Sequence, residues 1–182
     1  MIQTILLTEE RKETDMSYTS VYSVYKTKAT CLAELRNSHG SAPAIWDYIS
    51  IKCTGEKFPM FNPDGFWKLW KDPCLSENER AVLLSTYDMA FVEVEHLERF
   101  AVACKEMHEK IISDTKWTWN HFADIGKQAK DLAKKHDYRS LGLGVGCTSV
   151  CDPWEQWNFE ADKAWGVYSE IAELEGLTEQ ED

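Results

Sequence analysis

The chain has no apolar run near the roughly 20 residues that a bilayer-spanning helix requires, so a membrane-crossing helix is not expected. Its opening MIQTILLTEERKETD carries a short apolar patch without a basic flank or a small-residue cleavage site, and no secretory signal is expected either. Positive charge is scarce: 20 Lys and Arg stand against 31 Asp and Glu, a formal net of −11. That deficit argues against ordinary nucleic-acid binding, in which Lys and Arg neutralise phosphates, and suits either a basic protein as partner or mere solubility. No internal repeat is present at any period, which removes solenoid and propeller architectures. Six cysteines are present, but 182 residues with 43% hydrophobic content bury an ample core without covalent staples. Reduced thiols in a cytoplasm are therefore expected.

What the chain does have is aromatic residues and segregated charge. Twenty-two aromatics, eight of them Trp, exceed the ordinary need of a core this size, so some are expected to line a groove or interface. Residues 152–182 hold ten acids against the single base Lys163, a local net of −9, leaving −2 for everything before them. The organisation read from this is a loose leader over 1–16, an α+β core over 17–151, and an acidic C-terminal helix and tail over 152–182 in the same domain.

The alternation SYTSVYSVY predicts a strand from Ser17. TKATCLAELRNSHG, with Cys31, Leu32 and Leu35 on one side, reads as a helix stopped by Gly40. Another helix starts at Ser41 or Ala42 with Pro43 in its first turn and Ile45, Trp46, Ile49 and Cys53 inward, ending at Gly55. A proline-punctuated stretch follows, with a helical turn that gathers Phe66, Trp67 and Trp70. Ser76 and Glu79 form a capping box for the next helix. DMAFVEVE reads as a strand, HLERFAVACKEMHEKII as an amphipathic helix, and 117–136 as a further helix with Phe122, Ile125, Ala129 and Leu132 inward. SLGLGVGCTSV places Leu141, Leu143, Val145 and Cys147 on one face of a strand and glycines on the other, a side suited to close approach. Asp152, Pro153 and Glu155 announce the last helix, whose stripe is Trp154, Trp157, Ala161, Trp165, Tyr168 and Ala172. The sum is an α+β fold, predominantly helical with a small β-sheet.

Few constellations carry chemistry. Cys104 and His108, one helical turn apart, would join Cys147 and Cys151 in a zinc site, but the thiolate spacing lacks the usual knuckle, and structural thiols account better for them. Cys147 or Cys151 as a nucleophile would need His108, His121 or His136 as base, with no local signature to suggest it. The glycines of GLGVGC lack the dinucleotide fingerprint. Neither catalysis nor a cofactor is expected. Lys127, Lys130, Lys134, Lys135 and Arg139, against Asp131 and Asp137, form a basic patch that is either a solvated helix face or a contact for nucleic-acid backbone. Glu160, Asp162, Glu170, Glu173, Glu175 and Glu179 of the acidic segment are either a solvated face or a set of carboxylates that would suit a groove lined by Arg and Lys, imitating a phosphate backbone.

The strings AELRNSHGSAPAIWDYI, DGFWKLWKDP and CTSVCDPWEQW are similar to small phage-encoded proteins. With its size and acidity, the whole chain resembles the anti-CRISPR proteins that inhibit the type II RNA-guided DNA nuclease. These proteins share no common motif, so no site residues carry over. The resemblance implies stoichiometric binding in a bacterial cytoplasm to a nuclease and guide RNA complex, whose basic channel and DNA-reading arginines are docking places for carboxylates. It implies no cofactor and no membrane. Two other classes compete: a small cytoplasmic enzyme with a Cys/His site, and an accessory nucleic-acid-binding protein that touches RNA through the basic helix of 127–139.

Overall fold

The computed structural model describes residues 18–25, 29–36, 41–59, 63–86, 89–116, 120–137 and 139–146, and the backbone at 163–164 and 167–168. An antiparallel hairpin comes first, β1 (Tyr18–Tyr25) and β2 (Ala29–Arg36). Three helices follow, α1 (Ser41–Thr54), α2 (Pro63–Trp70) and α3 (Glu77–Leu84), then β3 (Met89–Glu93) and a single 3-10 turn at Val94–His96. The long helix α4 (Leu97–Asp114) and α5 (Phe122–Lys135) precede β4 (Ser140–Gly146), and two short strands, β5 (Lys163–Ala164) and β6 (Val167–Tyr168), complete the sheet. Its order is β2-β1-β4-β3-β6-β5, with every neighbouring pair antiparallel. The class is α+β, with helix outweighing strand about two to one.

One face of the sheet receives the helices. Val21, Val145 and Ala90 stand opposite one another across β1, β4 and β3, as do Leu143 and Val92 one step along. All five are fully buried together with Ile45 and Ile49 of α1, Phe66 of α2, Val82 to Leu84 of α3, Phe100, Met107 and Ile111 of α4, and Ile125 and Ala129 of α5. Removing a Leu-, Ile- or Phe-sized side chain from water contributes about 1.5–3 kcal/mol, so this one cluster dominates the folding energy.

Local signals place most of the helices. Gly55 ends α1 with φ +81°, its N–H donating to Ile51 O at 2.9 Å, a left-handed geometry that glycine adopts without strain. Ser76 caps α3: its Oγ accepts the Glu79 N–H at 3.2 Å, while Glu79 Oε2 accepts the Ser76 N–H at 2.9 Å. Ser76→Ala is expected to cost about 1 kcal/mol in urea denaturation, and an unchanged midpoint would mean that the box contributes nothing. Phe66, Trp67 and Trp70 do gather, with centroid separations of 5.2 and 5.7 Å between neighbouring rings. Trp46 Nε1 donates to Thr86 Oγ1 at 2.7 Å and Trp70 Nε1 to Arg80 O at 3.2 Å. The described tryptophans thus serve the core rather than an open interface; Trp117, Trp119, Trp154, Trp157 and Trp165 lie outside the described residues.

Glu79 does more than cap. Only 3% exposed, it accepts Lys52 Nζ at 2.6 Å and Lys110 Nζ at 3.2 Å, linking α3 to α1 and α4. Burial by itself would raise its pKa, but the Lys52 contact, the Ser76 bonds and Lys110 outweigh that and hold it at about 2. Lys110 is shifted upward: burial opposes its charge, but the Glu79 carboxylate more than compensates.

Four expectations are corrected. Residues 29–36 form a strand, not a helix. Val21 pairs with Ala33 while Tyr22 pairs with Cys31, so Leu32 is an extra residue on β2, a bulge that lets consecutive Leu32 and Ala33 both pack on the core. Their adjacency mimics helical spacing. Leu141 does not share the buried face of Leu143 and Val145: Val24 pairs with Gly142 and Tyr25 with Ser140, and this second bulge leaves Leu141 38% exposed. A continuous C-terminal helix is ruled out at residues 163–164 and 167–168, which form a hairpin on β3 through Phe91–Tyr168 and Val92–Val167. An open edge at β3 takes backbone partners that a helix would not supply. The remainder of 152–182, and the leader 1–16, lie outside the described residues. Finally, Cys53 and Cys74 form a disulfide across a Cα–Cα distance of 5.7 Å, against the expectation of reduced thiols.

Candidate functional site

The most chemically distinctive concavity lies between α4 and α5. These helices meet closely at Gly126, where an added Cβ would stand 2.8 Å from Cys104 Cβ and 3.2 Å from Ala101 O. Only a residue without a side chain fits there. Outside this contact the two helices enclose a groove of about 450 Å³. Ala101, Val102, Ala123 and Gly126 form an apolar floor; Lys105 and Glu98 stand on the α4 wall, and Lys127, Lys130 and Lys134 on the α5 wall. Val102 is 52% exposed, the most open of the exposed large apolar side chains described.

The α5 lysines fall at i, i+3 and i+7, so the helical repeat stacks them along one rim over about 10 Å. Lys134 is 3.8 Å from Asp131, and Lys105 across the groove is 3.5 Å from Glu109, both exposed pairs of small energetic weight. Among the described residues no carboxylate lies within 4.0 Å of Lys127 or Lys130. Among the described lining residues four lysines face one glutamate, and Lys127 and Lys130, left without a described ion-pair partner, keep that rim positive within an acidic protein.

Of the five basic residues singled out from the sequence, three line the groove. Lys135 is exposed at the end of α5 without facing it, and Arg139 lies past the helix, with its Nε 3.3 Å from Asp137 Oδ1. Asp137 is held below the ordinary carboxylate range, first by the Arg139 backbone N–H. Lys105, Glu98 and Val102 were not singled out, because their relation to α5 exists only in the packed helix pair. The six acidic residues Glu160, Asp162, Glu170, Glu173, Glu175 and Glu179 lie outside the described residues; of their segment, only the backbone at 163–164 and 167–168 is placed, on the sheet edge.

The Cys and His candidates do not gather where they are described. Cys104 is fully buried against Gly126, and burial pushes its thiol pKa well up, the state of an inert structural thiol. His108 is half-buried on α4. His121 is buried just before α5, its Nε2 against Arg36 O, and the Ser41 Oγ accepts its backbone N–H at 3.0 Å. His136 is exposed just past the other end of α5, a helix of 14 residues and so about 21 Å long. Cys147 and Cys151 lie outside the described residues. Two other clusters of ligand-type side chains occur, Cys53 with Asp72 and Cys74, and Glu93 with Glu95 and His96. The thiols of the first are joined in the disulfide, and the second is a partly exposed cluster with His96 Nε2 3.6 Å from Glu93 Oε2. Among the described residues, no helix is long and apolar enough to cross a membrane.

Comparison with protein families, curated proteins and solved structures finds no match to the chain. Any functional reading comes from the residues themselves.

Proposed function

We propose that the protein acts by stoichiometric binding, as an inhibitor that engages a basic nucleic-acid-processing protein in the bacterial cytoplasm. The partner proposed is the type II RNA-guided nuclease with its guide RNA, and the outcome is loss of DNA binding or cleavage. The observation that carries this reading is the concentration of charge: a net of −9 over residues 152–182. Within that stretch, the backbone at 163–164 and 167–168 pairs onto the sheet at β3. Carboxylates concentrated in one segment compete for the arginines and lysines that a nuclease reserves for phosphate and for DNA recognition. No cofactor and no turnover are part of the mechanism.

Charge reversal tests it. Glu170, Glu173 and Glu175 changed together to Lys should slow association with the nuclease and guide RNA complex by about tenfold or more at low salt, read by surface plasmon resonance. The effect should fade as salt shortens the screening length to about 8–10 Å. Reversal of Lys127, Lys130 and Lys134 to Glu is the control. Should the lysine reversal abolish inhibition of DNA cleavage while the glutamate reversal leaves it intact, the acidic mechanism is wrong.

A further inference from the structure

The α4–α5 groove has two properties that together restrict what can occupy it. Its rim is positive, with Lys127, Lys130 and Lys134 along one wall and Lys105 on the other, and its floor is apolar, open at Val102 and partly open at Ala123. A positive rim alone would suit any polyanion. Single-stranded nucleic acid is held by aromatic stacking as well as by charge, and among the described residues none that lines the groove is aromatic. A duplex backbone, for its part, gains nothing from a recessed apolar floor. A helix carrying apolar side chains on one face and carboxylates beside them satisfies both properties at once.

The spacing agrees. Lysines at i, i+3 and i+7 cover two helical turns, and a helix lying along α5 presents carboxylates with the same period. Lys134 and Lys105 are partly offset by Asp131 and Glu109, but Lys127 and Lys130 have no described carboxylate within ion-pair distance, and these two supply the charge complementarity.

We propose that the α4–α5 groove is the docking site for an acidic amphipathic helix of a partner protein, its carboxylates on Lys127, Lys130 and Lys134 and its apolar side chains over Val102 and Ala123. This does not depend on the nuclease reading, which rests on the acidic segment. Docking here and docking through residues 152–182 use different surfaces, so the protein has two separable contacts of opposite sign.

The probe is a fluorescent synthetic peptide of roughly 15 residues, long enough to hold a helix, with Leu on one face and Glu flanking it. Titration of the full-length chain, followed by anisotropy, should saturate. A scrambled peptide of the same composition should bind much more weakly. Lys127→Glu with Lys130→Glu should weaken binding by roughly tenfold or more. Val102→Ser, at an exposed helical position where folding is not at stake, should weaken it by about three- to tenfold because one apolar side chain no longer meets the peptide. In the wild-type protein, amide shifts should move at Ala101, Val102 and Gly126. Three results would each overturn the proposal: no saturable binding by wild type, binding indifferent to Val102→Ser and to scrambling, or single-stranded RNA bound more tightly than the peptide and displacing it through the same lysines. The last would assign the groove to nucleic acid.

Discussion

Glu79→Gln should destabilise the protein by about 2–3 kcal/mol at pH 7, because it removes the charge that Lys52 and Lys110 share while keeping the size of the side chain. Breaking a buried pair by deleting one partner ordinarily costs about 3–5 kcal/mol; here both lysines stay partly exposed, 35% and 43%, so water takes up some of their loss. Acid should reveal the same energy in the wild type. Glu79 has a folded pKa of about 2 against an ordinary 4.5, so its contribution is complete above about pH 5 and falls away as pH drops through 4.5 towards 2. A depression of that size corresponds to about 3 kcal/mol. Urea denaturation of wild type and Glu79→Gln at a series of pH values should therefore show a gap that closes on acidification. A gap that stays constant with pH would mean that the carboxylate is not the source of the difference.

Gly142→Ala is expected to be worse, at about 4 kcal/mol or outright failure to fold. Its φ is +156°, and an ideal Cβ would lie 2.0 Å from Val92 O, 2.9 Å from Val92 C and 2.8 Å from Phe91 Cζ. A flexible ring can turn aside, but a carbonyl held in the β3–β4 ladder cannot, and moving it breaks pairing on both sides. Leu141→Ala, one residue away on the bulge and 38% exposed, should cost well under 1 kcal/mol. Measured side by side, the pair tests the register itself. Equal and small losses would mean that β4 does not pair with β3 as Glu93–Gly142 and Val92–Leu143.

The contrast between those neighbours marks what the sequence discloses. The alternation of glycine with Leu143 and Val145 announces a strand with one crowded side, and Gly142 is indeed crowded. The bulge that turns Leu141 outward has no local signature, because it arises from the match of β4 to β1. The segment 29–36 misleads for a related reason. Ala, Leu, Glu and Arg favour helices when isolated, whereas β1 offers a ladder that outweighs a preference of a few tenths of a kcal/mol per residue. Capping signals fared better at Ser76 and Gly55, since a cap is a contact between residues a few positions apart. For the candidate site, the lysines on α5 were legible as charge. The groove was not, since it depends on Gly126 admitting Cys104 and Ala101 from a helix whose sequence says nothing about α5.

The sheet's connectivity also governs how the chain is made. β1 is paired on one side by the adjacent β2 but on the other by β4, and the buried Ser23 and Ser140 hydroxyls that meet there, 3.3 Å apart, are 117 positions apart in the chain. At about 5–20 residues per second, the ribosome needs on the order of ten seconds to deliver β4 after β1 has emerged. During that interval β1 lacks its β4 partner, while the five described α-helices, each encoded between the two strands, are synthesised. Pairing of β1 with β4 joins residues more than a hundred positions apart, so this part of the sheet depends on non-local contacts that form slowly.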